Sequence, residues 1–181
     1  MVTKITEDEY TRVLLQLVEE FERKLFEFTN STDGKDFLQA ILKGHLYIEQ
    51  ELNLLLNKHL KYPEHLDKRM NFISKLNLVF ALGVIESQEK EVIVRINELR
   101  NKYAHKVDFE INQEYFDKKI VDAFSPQIKQ RYNGLLLNYQ EDKDQLIIQL
   151  GIALYTVWYM LVEETLIPDD IKKRLQKDSI D

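Results

Sequence analysis

Arg100-Asn101-Lys102-Tyr103-Ala104-His105 sets an arginine and a histidine five residues apart, with a polar asparagine beside the arginine. These side chains suit chemistry on a phosphate. The guanidinium offers a rigid fork of donors that matches phosphate oxygens. The imidazole titrates near neutrality and can take or give a proton. Asn101 can orient a scissile group by hydrogen bonds. Such a set needs no metal and no organic cofactor. On an ideal helix, five residues give about 140° of rotation and about 7.5 Å of rise. Arg100 and His105 therefore do not share one face of a continuous helix. Either the helix stops before His105 and the ring folds back, or each residue works with groups of another helix or subunit. The bland alternative pairs Arg100 with a carboxylate and leaves His105 at the helix C-terminus, where a cationic ring is favoured.

Other chemistry-bearing residues carry weaker signals. His45 and Glu49 lie one turn apart on a common helical face. Glu49 can face the arginine motif as a supporting acid, whereas His45 reads as structural. With His105 these two make a loose set of metal-ligand types, too scattered for a metal site. His59 and His65 flank Pro63 and are expected to face solvent. Tyr155, Trp158 and Tyr159 could stack bases, but core packing explains them better. Arg131-Tyr132-Asn133-Gly134 reads as a turn closing a short helix. Asp169-Asp170 before Lys172-Lys173-Arg174 reads as a self-paired solvated helix.

The elements that must position the motif are helices. Only 5 glycines and 3 prolines interrupt 181 residues, and strand-like alternation with turn pairs is absent. The first helix is expected from Thr6, which has capping-box spacing to Glu9. It carries Val13, Leu14, Leu17, Phe21, Leu25 and Phe28, and the cluster 30–34 ends it. A second helix is expected over about Asp36 to Leu60. Pro63 is read as opening a third, with Leu66, Met70, Ile73, Leu76 and Val79 inward and Gly83 at its end. Glu86-Ser87 opens the fourth, which ends near His105, with Val107 to Phe109 extended. Asn112 caps a fifth through Phe124; Ser125-Pro126 breaks it, leaving one short turn over Gln127 to Tyr132. The last helix runs from about Asp142 to Leu166. The expectation is an all-α fold: an antiparallel helical bundle of about five long helices plus short ones, forming a single domain over 1–181.

Composition sets the frame. At 44% hydrophobic and 31% charged, the chain can bury a real core. It has no cysteine, which excludes disulfides and thiolate metal sites and fits a reducing, cytoplasmic setting. The start lacks the apolar stretch of a signal peptide. Leu146 to Val162 is the most apolar run and reads as a central buried helix rather than a membrane span. A net charge of −6 disfavours non-specific nucleic-acid binding. Around the motif, Arg95, Lys102, Lys106, Lys118 and Lys119 shift the local balance towards positive.

Leu99 to His105 resembles the signature of the HEPN superfamily, in which arginine, a polar residue and a spaced histidine end a bundle helix. Ser74 to Ile85, followed by Ile96 to Asn101, is similar to the mannitol operon repressor (MltR-like) branch. Gly44 to Leu52 resembles the second helix of that family, where an acidic residue faces the motif. The good match covers about Gly44 to Phe124. The resemblance implies a helical bundle that forms homodimers and brings two copies of the motif to one cleft. It implies a metal-independent endoribonuclease of a toxin–antitoxin or antiviral system. His105 would then be the acid/base, Arg100 would hold the scissile phosphate and Asn101 would support it, with Glu49, Tyr103 and Lys102 around them. The MltR-like branch implies the alternative: a non-catalytic regulator or scaffold that acts through protein partners.

Overall fold

The computed structural model describes residues 7–32, 36–106, 108–139, 145–168, 170–172 and 174. The described residues form α1 (Glu7–Thr32), α2 (Phe37–His59), α3 (Phe72–Ala81), α4 (Ser87–His105), α5 (Gln113–Lys119), α6 (Pro126–Leu136) and α7 (Leu146–Leu166). Short 3-10 turns cover Pro63–His65, Val121–Ala123 and Leu137–Tyr139, and there is no strand among the described residues. The all-α helical bundle follows from the periodicity of its apolar residues.

Helix α7 is the hub. It packs against α1, α2, α4 and α6. Leu150, Leu154, Val157, Trp158 and Leu161 are buried along it. Its length and apolarity would suffice to cross a membrane, yet much of it is buried inside the bundle. Trp158 stacks on Phe28 of α1 at 4.5 Å between centroids, so the aromatic cluster is core. Helix α2 packs tightly on α7: a Cβ on Gly44 would lie 2.9 Å from Leu154 Cδ1. Lys58 of α2 donates to the backbone carbonyls of Glu164 and Ile167, closing the C-terminal end of α7.

Several helix ends differ from the sequence reading. Helix α3 does not open at Pro63. That proline starts only a 3-10 turn, and the helix begins after Asn71, whose side chain accepts from Ser74 N–H at 2.9 Å. Gly83, at φ 71°, ends α3 as expected. Ser125-Pro126 is a start rather than a break: Ser125 Oγ accepts from Ile128 N–H, Pro126 is the first helical residue, and α6 runs 11 residues. Arg131 to Gly134 thus lie inside α6, and Arg131 forms a bidentate pair with Glu163 of α7. Helix α5 stops at Lys119, short of Phe124. Thr6, Val107, Asp169, Lys173 and the start of the last helix before Gln145 lie outside the described residues.

One charged pair is buried in the bundle. Lys24 of α1 meets Glu51 of α2 at 2.5 Å, and Thr165 of α7 donates to the other carboxylate oxygen at 2.8 Å. Removing one member of such a pair strands the other in low dielectric, at a cost of about 3–5 kcal/mol. Glu51→Ala should therefore lower the urea midpoint sharply, and Lys24→Met with Glu51→Leu should recover most of the loss. Equal stability of wild type and Glu51→Ala would refute this role.

Candidate functional site

Helix α4 carries the motif, and its own start is well secured. Glu89 reaches back to accept from the Glu86 N–H at 2.7 Å. Val92, Ile93, Ile96 and Leu99 are buried and hold one face against the core. That anchoring places Asn97, Arg100 and Asn101 along a neighbouring, half-buried stripe, at i, i+3 and i+4.

Arg100 is half-buried and donates from Nη1 to Asn101 Oδ1 at 3.1 Å. It has no carboxylate partner among the described residues. The other half-buried arginines with ion pairs are neutralised: Arg95 binds Glu91 and Glu98, and Arg131 binds Glu163. The bland alternative of an Arg100 salt bridge is thereby set aside. The guanidinium is a cation with unused donors beside two neutral amides, in a chain of net charge −6.

His105 is the last residue of α4 and is exposed. The helix does not stop before it, so the ring does not fold back on the backbone. His105 lies one turn beyond Asn101 and makes no hydrogen bond or ion pair among the described residues. Arg100 and His105 therefore stand on different faces of one intact helix, as a spacing of five dictates.

The residues expected to support the motif divide into two groups. Glu49 does sit near it. Its carboxylate pairs with Lys75 of α3 at 2.7 Å and contributes to the field at His45. Tyr103 and Lys102 turn away. Tyr103 Oη accepts from the Ile111 N–H at 3.2 Å, and its ring meets Phe109 edge-on. Lys102 Nζ lies over the Tyr115 ring at 4.4 Å and the Phe109 ring at 5.4 Å. Both secure the segment after α4 against α5. Lys118 pairs with Glu114, which removes it from the local basic set.

Two residues of the site lack any mark in the motif. His45, 5% exposed, stacks on Phe72 at 4.2 Å and reaches Asn97 Oδ1 from Nε2 at 3.0 Å. A carbonyl oxygen only accepts, so Nε2 carries the proton. The stripe Asn97, Arg100, Asn101 sets the only two asparagines of α4 around the arginine, the signal that could have singled out Asn97. Nothing in the sequence pairs it with His45, 52 positions away. No group of metal-ligand side chains occurs among the described residues. No known protein family, curated protein or solved structure matches the chain.

Burial pushes the His45 imidazole below the ordinary histidine value, and the Arg100 charge adds to this; Asn97 and Glu49 oppose it. The unfolded chain takes its proton near pH 6.5, while the folded chain resists until lower pH. His45 thus contributes stability above about pH 6.5 that is lost as pH falls towards its depressed value. Urea unfolding should show wild type losing more stability than His45→Phe between about pH 7 and 5. Parallel pH profiles for the two proteins would contradict the assignment.

Proposed function

We propose that the protein is a HEPN-like, metal-independent endoribonuclease that acts as a homodimer in a toxin or antiviral defence setting. The observation that carries this reading is Arg100: a half-buried guanidinium bound to the Asn101 amide, with no carboxylate partner among the described residues. Such a group is a ready receptor for a phosphate oxyanion. His105 adds an exposed, titratable ring near the same helix end. Their different faces favour a cleft shared between copies, where Arg100 of one chain meets His105 of a second.

In that cleft Arg100 holds the scissile phosphate, and its charge stabilises the pentacoordinate transition state. One His105 removes the proton of the ribose 2′-hydroxyl, whose oxygen attacks phosphorus. The bond to the 5′-oxygen breaks, and the same His105 passes that proton to the leaving oxygen. The products are a 2′,3′-cyclic phosphate and a free 5′-hydroxyl.

A second reading is favoured by the outer face of α1. Leu15 and Phe26 are 60% and 68% exposed, and Val18 lies near them. Exposed Glu19 and Glu22 stand among them. That face suits a protein partner, either an antitoxin or the target of a non-catalytic regulator.

Purified protein should cut single-stranded RNA in EDTA and leave 5′-hydroxyl ends. Arg100→Ala and His105→Ala should each lower the rate on the order of a hundredfold or more while melting like the wild type. Full activity in both variants would remove the catalytic assignment. An inert wild type that binds a partner through α1 would favour the regulator.

A further inference from the structure

Asn97 is half-buried on α4, three residues before Arg100, and lies against the α2–α4 seam. Its Oδ1 is occupied by the Nε2–H of His45 at 3.0 Å. That leaves the amide nitrogen at the opposite end of the group. This nitrogen has no partner among the described residues. It is also not sealed from solvent: the Trp158 indole nitrogen is the only buried side-chain nitrogen or oxygen without a partner there. The same holds for the unused nitrogens of Arg100. The result is two sets of N–H donors, one neutral and one cationic, one helical turn apart on one stripe.

We propose that Asn97 is a second oxyanion-binding residue beside Arg100, its amide nitrogen turned to the ligand by the hydrogen bond from His45. His45 is then a positioning residue. It is fixed on its other side by the 4.2 Å stack on Phe72, and it does not reach the ligand, being buried. The ligand class is a phosphate group with at least two free oxygens, one for each donor. A free amide would rotate between two orientations that present opposite ends to the ligand. The His45 N–H selects the one that presents donors, so binding spends no free energy on ordering it. Burial disfavours the charged imidazole, and the bond to Asn97 Oδ1 puts the proton on Nε2. The charged groups in reach of the imidazole are Arg100 and Glu49, the latter already held by Lys75.

This inference rests on Arg100 being a phosphate site, and the test separates the two. Labelled full-length protein is titrated with inorganic phosphate while the Arg100 Nε–Hε and Asn97 side-chain amide NMR signals are followed. Both should shift along one saturation curve. Asn97→Asp, of nearly equal shape, should weaken binding tenfold or more, and Asn97→Ser should weaken it at least threefold if the aspartate variant fails to fold. His45→Phe keeps the stack but loses the donor, and should weaken binding at least threefold. His45→Gln restores an N–H donor and should return affinity to within twofold of wild type. If Arg100 responds while Asn97 does not, or if the Asn97 variants bind like wild type, the role of Asn97 is refuted and the arginine site stands. If neither signal moves, the arginine site itself fails, and this inference with it.

Discussion

The close approach of α2 to α7 at Gly44 is the constraint on which the rest depends. A methyl group there would lie 2.9 Å from Leu154 Cδ1, so an alanine would force that side chain to shift before the two helices could settle at this distance. Once Gly44 faces α7, the helical repeat decides where its neighbours go. Ile48, Leu52 and Leu55 follow it into the core. His45 and Glu49 turn to the next face, where α3 and α4 lie. One backbone contact in the core thus aims the two side chains that contact Phe72, Asn97 and Lys75.

The electrostatics of the seam follow from that placement. Acidic residues outnumber basic ones in the chain, yet Glu49, whose charge reaches His45, is held by Lys75. Glu91 and Glu98 are held by Arg95. Arg100 itself meets the neutral Asn101 amide, and its charge reaches the His45 imidazole. A charge left without a counter-ion in a partly buried position costs free energy, and sites for ligands are where such costs are found. Burial, with the Arg100 charge adding to it, disfavours the cationic form of His45.

Much of this was legible in the sequence, for particular reasons. Arg100 and His105 are marked by type and spacing, and α4 by the apolar repeat of Val92, Ile96 and Leu99 with Glu86-Ser87 at its start. Ser125-Pro126 misleads because serine then proline both breaks one helix and opens the next. Leu66 and Met70 mislead because apolar residues at helical spacing also pack from irregular chain, and the Asn71 cap decides the start of α3. Lys102 sits in the motif by number, but about 200° of rotation from Arg100 turns it to the α5 side; Tyr103 stands one turn from Arg100, and the Ile111 N–H engages its hydroxyl. Asn97 stayed hidden because its role comes from a bond to α2, which only the packing of α2 on α4 brings within reach.

The central claim is that Arg100 and His105 work across two copies of the chain rather than within one. Mixing Arg100→Ala and His105→Ala proteins, each inactive alone, and letting their subunits exchange tests it directly. A mixed pair holds one intact site, made of Arg100 from one chain and His105 from the other. RNA cleavage should reappear at about a quarter of the wild-type rate, since half of the pairs are mixed and each has one of two sites. A mixture that exchanges subunits fully and stays as inactive as its parts would contradict the account.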